Sequence, residues 1–291
     1  MTLAIPHILR LEHDAHGLAR FLITNAFAEA EVYLLGGQVT RFQPAGQEPV
    51  LWLSPLSSFE NGKAIRGGVP ICWPWFGPHP AKSTLPAHGL ARTREWRALD
   101  AAQLSDGRTR LRLILTENAD TLAAWPHTFD LILSVTVGAA LELELTTKNT
   151  GSAPFSYTDA LHTYLRAGNA PQARVDGLEG GPFVHSTRHH RGVQSGAVTF
   201  EGEVNNIYVP SRGPVAVADL VMKREIRITK NGSLATVVWN PGETGGMSMK
   251  DVGKHWNEFI CVEAANCADA QVDLLPGSSH ATTQTIEIAT R

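Results

Sequence analysis

Cysteine is scarce in this chain, and no charge of one sign dominates it. The three cysteines, Cys72, Cys261 and Cys267, cannot all pair within one chain, so we interpret them as reduced thiols and expect a cytoplasmic protein. The formal net charge of −3 at pH 7 provides no basic field for a nucleic-acid backbone. A disulfide-stabilised secreted scaffold and a nucleic-acid-binding protein are therefore both disfavoured.

Long apolar runs are also missing. The sequence contains no run of about 18 apolar residues that could cross a bilayer as a helix. Residues 1–14 lack the basic start and apolar stretch of a secretory signal. We therefore expect no membrane partner. Long amphipathic helical patterns are scarce as well, which argues against a helical bundle.

Short segments of alternating apolar and polar residues make up much of the chain instead. The clearest pair is 131–137 and 141–146, joined by 138–140. In the second segment the leucines face one way and the glutamates the other, because side chains alternate along a strand. The pattern predicts an all-β fold, a large antiparallel β-sandwich of two packed sheets, formed by residues 1–291 as one domain. Nothing in the sequence requires a dimer, so we expect a monomer.

Nine further segments are predicted to be strands: 30–35, 50–53, 110–116, 153–165, 215–220, 225–230, 235–240, 258–264 and 283–289. Between them, residues 61–96 form a long irregular insertion rich in glycine, proline and aromatic residues. Structureless segments of this length in compact domains are usually functional. We therefore expect the insertion to contact a ligand.

Two arginines and a group of aromatic residues give this insertion its chemical character. Arg66 and Arg92 bracket it, and a guanidinium group can grip a phosphate or carboxylate in bidentate fashion. Trp73, with Trp75 and Phe76, can form a stacking floor for a sugar. The alternatives are arginines in surface salt bridges and aromatic residues in the core. Together these residues predict a polar, anionic, ring-shaped ligand.

Two candidate acid–base groups lie on separate predicted strands. His162 shares a strand face with Ala160 and Tyr164. Glu263 lies on a strand whose two faces are both apolar, so we expect it to be buried, where a carboxylate is costly unless it is paired. The alternatives are a half-buried histidine that is hydrogen-bonded to a neighbour and a glutamate held by backbone amides or an arginine.

A histidine-rich patch contains His185, His189 and His190. No cysteine or carboxylate with ligand spacing accompanies it, and Arg188 and Arg191 would repel a cation, so we expect no metal there. No phosphate-cradling glycine-rich loop leads into a predicted helix, and no G-x-S-x-G motif is present. Nucleotide chemistry and serine hydrolysis are therefore poorly supported.

Several separated blocks occur together in a recognisable order: residues 66–74, 88–92, 159–162, 203–208, 239–241 and 261–263. In these blocks the chain resembles the glucose-6-phosphate 1-epimerases, the hexose-6-phosphate mutarotase branch of the aldose 1-epimerase superfamily. The resemblance covers most of the chain. It implies the large β-sandwich of the galactose mutarotase-like proteins and binding of a small sugar phosphate.

The resemblance also implies roles for individual residues. His162 and Glu263 match the family's catalytic pair, and Arg66 and Arg92 match arginines that bind substrate through its phosphate. Catalysis would be an exchange of protons, with Glu263 as the base and His162 as the acid. No cofactor is implied. The alternatives are an aldose 1-epimerase that acts on unphosphorylated sugar and a carbohydrate-binding protein without catalysis.

His88, Trp73 and Asn205 complete the expected substrate contacts. Two positions depart from the family pattern as the resemblance implies it. Ala87 stands where a glutamine is expected, and Asn205 stands where an aspartate is expected. The resemblance therefore does not define the exact sugar-phosphate preference.

Overall fold

A computed structural model describes residues 3–289 and confirms the all-β fold. Its strands, in chain order, are β1 (Leu9–His13), β2 (Ala19–Thr24), β3 (Ala28–Tyr33), β4 (Val39–Pro44), β5 (Ile71–Cys72), β6 (Arg97–Gln103), β7 (Thr109–Thr116), β8 (Phe129–Val137), β9 (Leu141–Asn149), β10 (Phe155–Tyr157), β11 (Asp159–Leu161), β12 (Tyr164–Arg166), β13 (Ala173–Asp176), β14 (Pro182–His185), β15 (Arg191–Val193), β16 (Val198–Thr199), β17 (Val204–Tyr208), β18 (Val215–Asp219), β19 (Arg224–Asn231), β20 (Ala235–Asn240), β21 (Phe259–Asn266), β22 (Val272–Leu274) and β23 (Ser279–Ile288).

Helices are few and short in the described part of the chain. The α-helices are α1 (Ala119–Ala124) and α2 (Gly242–Ser248), and 3-10 helices span Ala91–Thr93, Ala170–Gln172 and Gly253–Glu258. None of the helices in residues 3–289 has the length and apolar character needed to cross a membrane.

Two large antiparallel sheets form the body of the fold, as predicted. The first has nine strands in the spatial order β16-β13-β18-β19-β23-β9-β8-β7-β6. The second has eight strands in the order β15-β14-β17-β20-β21-β11-β5, with β12 also paired to β21. A four-stranded sheet, β1-β2-β3-β4, and the pair β10-β22 complete the described strands.

The core lies between the two large sheets because each strand turns alternate side chains inward. From the nine-stranded sheet, Leu143 and Ile286 enter this core, and from the eight-stranded sheet, Ile260 and Val262 enter it. The predicted hairpin is confirmed as β8 and β9, with the inward side chains of both strands buried. Glu263 consequently points to the outer face of the eight-stranded sheet.

Two predicted strands differ from the structure. Residues 50–53 form only the isolated bridges Leu51–Leu165 and Leu53–Gly67. The predicted strand 153–165 is divided into β10, β11 and β12. At the two breaks, backbone amides of this segment donate to carbonyl groups that are not part of a regular strand pairing. His162 N–H donates to Pro70 O at 3.0 Å, for example. These competing acceptors are remote in sequence, so the alternation of residues did not reveal them.

The insertion 61–96 is largely irregular, as predicted, and it is tied closely to the sheet. Its short strand β5 pairs with β11, and a Cβ atom at either of two glycines would collide with backbone. Gly68 has φ +62° with Val39 O only 2.2 Å from the Cβ position, and Gly89 has φ +79° with Trp73 O at 2.0 Å. Only glycine fits at these two positions, so the insertion packs closely against β4 at Gly68 and against its own backbone at Gly89.

Candidate active site

His162 and Glu263 lie directly opposite each other across the interrupted pairing with β21. β11 pairs with β21 as far as Leu161 and Ala264, and β12 resumes the pairing in the same register. That register places His162 opposite Glu263, with their side chains on the outer face of the sheet. The distance from His162 Nδ1 to Glu263 Oε1 is 3.3 Å. The structure therefore brings the two predicted acid–base groups together.

Both side chains are buried, yet three of their polar atoms have no hydrogen-bond partner in the described part of the chain. His162 is 7% exposed and Glu263 is 1% exposed. Within residues 3–289, His162 Nδ1 and both carboxylate oxygens of Glu263 make no aligned hydrogen bond, even to each other. The 3.3 Å contact has the distance of an ion pair without hydrogen-bond geometry. Buried polar groups left unsatisfied in this way are unusual outside functional sites.

Burial shifts the pKa values of both groups towards their uncharged forms. Desolvation raises the pKa of the Glu263 carboxyl well above its ordinary value, and the Arg92 charge opposes this in part. Desolvation lowers the pKa of His162 well below its ordinary value, and His88, Arg92 and Arg66 lower it further. A carboxylate in this site is thus a stronger base than in water, and a protonated imidazole is a stronger acid.

Aromatic rings fix the orientation of the His162 imidazole. Tyr164 stacks against it with ring centroids 4.9 Å apart and planes 9° from parallel. Trp239 and His88 present their rings edge-on at 5.9 and 5.8 Å. The imidazole is therefore held between one stacked ring and two edge-on rings, which restricts its rotation.

Arg66 is anchored beside this imidazole by two hydrogen bonds. Its Nε donates to Asp251 Oδ2 at 2.9 Å, and its Nη1 donates to Tyr164 Oη at 2.7 Å. Among residues 3–289, no partner is found for its Nη2. The guanidinium is thus positioned before any ligand arrives, and it keeps donor capacity for an anion.

Arg92 approaches the site from the 3-10 helix Ala91–Thr93. Its Nη2 donates to Ala87 O at 2.8 Å, so Ala87 serves the site through its backbone rather than its side chain. The Arg92 Nε is buried and has no hydrogen-bond partner in the described residues. A buried donor that is left unsatisfied in this way costs free energy.

His88 is held as a neutral imidazole in one tautomer. Gly77 N–H donates to His88 Nδ1 at 3.3 Å, so the ring proton belongs on Nε2. Burial, with Arg92 and Arg66 nearby, lowers the pKa of His88 to about 3. Its backbone adopts the left-handed conformation with φ 66°. His88 can therefore donate a hydrogen bond from Nε2 at neutral pH.

Asn205 lies farther along the same face of the sheet. It is paired with Trp239 across β17 and β20, and both residues line a cleft of about 720 Å³ that Met249 also borders. Trp239 connects the two regions, because it lines this cleft and its ring lies edge-on to the His162 imidazole at 5.9 Å. Asn205 itself is two strands away from Glu263 in the sheet.

The predicted stacking role of Trp73 is wrong. Its indole is 0% exposed and packs in the core against Trp125 at 5.0 Å and Phe129 at 4.4 Å between ring centroids. No face of the ring is left for a sugar. Of the three aromatic residues considered, Phe76 is the one that packs near the site, edge-on to His88 at 5.0 Å.

Sequence reasoning missed the roles of Asp251 and Trp239 in building the site. Asp251 follows the helix α2 and anchors Arg66 from a distant part of the chain, and no local pattern signals this contact. The contact of Trp239 with the site left a signal in the sequence, because Trp239 and Val237 are two residues apart in the predicted strand 235–240. Residues at this spacing share one face of a strand, and Val237 is paired with Glu263. Among the described residues, no group of three or more His, Cys, Asp or Glu side chains could hold a metal ion.

Comparisons with known proteins identify the family of this chain. The sequence matches the aldose 1-epimerase family over residues 19–287. A protein of Escherichia coli strain K12 named "Putative glucose-6-phosphate 1-epimerase" is 35% identical over 90% of this chain and 88% of its own length. A protein of Cenchrus ciliaris with the same name is 37% identical over 85% of this chain and 78% of its own length.

A solved structure shows the same fold. The crystal structure of a protein described as a "putative mutarotase" from Salmonella typhimurium has a TM-score of 0.92 and 31% identity, and it covers 100% of this chain and 96% of that one. The match extends across both large sheets and the insertion. The chain is a member of the aldose 1-epimerase family.

Proposed function

We propose that this protein interconverts the α and β anomers of a hexose 6-phosphate, with glucose 6-phosphate as the first candidate. Family membership and the names of the similar proteins support the reaction and the substrate class. The observation that carries the proposal is the buried pair of His162 and Glu263. His162 Nδ1 lies 3.3 Å from Glu263 Oε1, and within residues 3–289 neither this nitrogen nor the two carboxylate oxygens make a hydrogen bond.

Anomer exchange needs one base and one acid. Glu263 accepts the proton of the C1 hydroxyl while His162 donates a proton to the ring oxygen, so the bond between C1 and the ring oxygen breaks and an aldehyde forms. Rotation about the C1–C2 bond presents the other face of the aldehyde. Ring closure then returns both protons, with the roles of the two groups exchanged.

The environment of the pair suits this exchange. Before ring opening the pair is a carboxylate and an imidazolium, and afterwards both groups are neutral. Burial favours the neutral forms, so the low-polarity site assists the step that moves the proton. The positive charges of Arg66 and Arg92 lower the pKa of His162. A bound phosphate would offset these charges, and His162 would then hold more readily the proton that it donates.

Arg66, Arg92 and His88 are proposed to bind the substrate. The two guanidinium groups have donors available for the 6-phosphate, and arginine is well suited to planar contacts with phosphate oxygens. His88 can donate from Nε2 to a sugar oxygen. Asn205, beside Trp239, is proposed to contact the sugar at the edge of the 720 Å³ cleft.

Exchange NMR of the anomeric protons tests the proposal. Glucose 6-phosphate, galactose 6-phosphate and free glucose are compared at equal enzyme concentration, with the spontaneous rate subtracted. We expect a rate above background for a hexose 6-phosphate and a much lower rate for free glucose. Equal rates for phosphorylated and free glucose would favour an aldose 1-epimerase of unphosphorylated sugar. Binding without any increase in the exchange rate would favour a non-catalytic carbohydrate-binding protein.

A further inference from the structure

Gln284 is a fully buried polar residue on an inward-facing strand surface. It lies in β23 between Thr282 and Ile286, and all three side chains are 0% exposed. A buried amide costs free energy unless its donor and its acceptor are both satisfied. The hydrogen bonds of Gln284 reach the two chain segments that carry His162 and Glu263.

The side chain of Gln284 crosses from the nine-stranded sheet to the eight-stranded sheet. Its Nε2 donates to Val262 O at 3.0 Å, and its Oε1 accepts from Thr163 Oγ1 at 2.5 Å. Thr163 directly follows His162, and Val262 directly precedes Glu263. The amide group of Gln284 thus connects the backbone carbonyl of Val262, next to Glu263, with the hydroxyl of Thr163, next to His162.

These contacts fill a gap in the hydrogen-bonded ladder. Val262 N–H donates to Thr163 O at 3.1 Å, and a regular antiparallel pair would return a bond from Thr163 N–H to Val262 O. Thr163 N–H instead donates to Leu161 O at 2.9 Å, which forms a tight turn at residues 161–163. Gln284 Nε2 supplies the donor that Val262 O would otherwise lack.

The turn at residues 161–163 also redirects His162. The His162 N–H donates to Pro70 O at 3.0 Å, and the imidazole extends over Glu263. Without the bond from Gln284 Nε2, Val262 O would lack a hydrogen-bond donor. It could accept a hydrogen bond from Thr163 N–H only if the turn at residues 161–163 straightened. A straightened strand would move the imidazole relative to the carboxylate.

We propose that Gln284 is a positioning residue, which holds the turn at residues 161–163 so that His162 faces Glu263 at the distance needed for proton transfer. The inference rests on the proposed acid–base function of that pair. Gln284 lies behind the pair, on the core side of the sheet, and contacts neither of the two reacting side chains. Its effect is therefore expected on the chemical step rather than on substrate binding.

The test compares Gln284→Met with a matched control. Methionine has a similar volume but can make neither hydrogen bond. A displacement of about 1 Å can cost up to about 100-fold in rate, so we expect kcat for anomer exchange to fall about 10- to 100-fold with KM nearly unchanged. The control, Asn149→Leu, removes another buried amide, whose Nδ2 donates to Ala153 O and Leu274 O, and it should retain kcat.

Equal kcat losses in Gln284→Met and the control, or native kcat in Gln284→Met, would overturn the positioning role. If Gln284→Met does not fold, Thr163→Val removes the 2.5 Å bond to Gln284 Oε1 together with the longer 3.3 Å bond from Thr163 Oγ1 to Leu161 O. It is expected to lower kcat by a smaller factor, again at constant KM. A change in KM alone would overturn the proposal.

A crystal structure of Gln284→Met, or of Thr163→Val in its place, separates this inference from the proposed function. We expect the His162 N–H to leave Pro70 O and the distance from His162 Nδ1 to Glu263 Oε1 to increase beyond 3.3 Å. Unchanged pair geometry would overturn the inference. If wild-type protein exchanges no sugar anomers, the proposed function fails, and the variant structure still decides whether Gln284 positions His162.

Discussion

The ring of Tyr164 lies flat against the His162 imidazole, with centroids 4.9 Å apart. The Tyr164 hydroxyl meanwhile accepts a hydrogen bond from Arg66 Nη1 at 2.7 Å. One side chain therefore supports both the proposed acid and a proposed phosphate-binding group. The two tasks use different parts of Tyr164, so they can be separated by mutation.

Tyr164→Phe is expected to affect substrate binding more than chemistry. It keeps the ring that stacks on His162 and removes the hydroxyl that orients Arg66. Loss of one hydrogen bond to a charged group corresponds to about 10-fold or more in binding, so KM for glucose 6-phosphate should rise by about that factor. Steady-state kinetics with glucose 6-phosphate check this. A fall in kcat at constant KM would contradict the assignment.

Glu263→Gln and His162→Asn are each expected to abolish most of the anomer exchange. Each replacement keeps the approximate side-chain size and removes one proton-transfer group, and such groups contribute about 100- to 10,000-fold. Glu144→Gln is the matched control, because Glu144 is an exposed carboxylate on the outer side of β9. Near-native kcat in either folded active-site variant would refute the proposed pair.

Glu263→Gln is also expected to stabilise the fold at alkaline pH. The folded-state pKa of Glu263 is raised above the unfolded value of about 4.5, so wild-type stability falls as pH rises from 4.5 through the folded-state pKa. The variant lacks this penalty. Its melting temperature should exceed the wild-type value at pH 8, where each 1 kcal/mol corresponds to about 2–4 °C.

Thermal unfolding at pH 8 and at pH 4.5 measures this difference, which should shrink at the lower pH because Glu263 is then protonated in the folded state and about half protonated in the unfolded state. Glu144→Gln again serves as the control and should show no such pH-dependent gain. A melting-temperature difference between Glu263→Gln and wild type that stays constant with pH would show that desolvation of the carboxylate is not its cause.

Arg66→Ala tests the phosphate contact. KM for glucose 6-phosphate should rise about 10- to 100-fold, which is the range for a hydrogen bond to a charged group, and KM for free glucose should change much less. Arg94→Ala is the control, because Arg94 pairs with Asp120 at 3.1 Å. Equal effects of Arg66→Ala on both sugars would count against a phosphate contact.

Much of the fold could be predicted from the alternation of residues. In the hairpin of β8 and β9, apolar and polar residues alternate, and the apolar set enters the core. The strand β21 was predicted instead from its two apolar faces, and all of its residues are buried. The burial of Glu263 followed from the same reasoning. The core position of Trp73 could not be predicted in this way, because a cluster of aromatic residues in the sequence is compatible with either a core or a binding surface.

The break in the strand at His162 could not be predicted from local sequence. It depends on Pro70 O, which accepts the His162 amide, and on Gln284, which caps Val262 O. Both partners are remote along the chain. The inward-facing position of Gln284 in β23 was nevertheless a detectable signal, because a glutamine beside Ile286 on an inward face needs partners.

A crystal structure of the protein with glucose 6-phosphate bound tests the central claim most directly. We expect a carboxylate oxygen of Glu263 within hydrogen-bond distance of the C1 hydroxyl, about 2.6–3.2 Å, and a ring nitrogen of His162 equally close to the ring oxygen of the same sugar. A sugar bound with its anomeric carbon out of reach of either group would contradict the account.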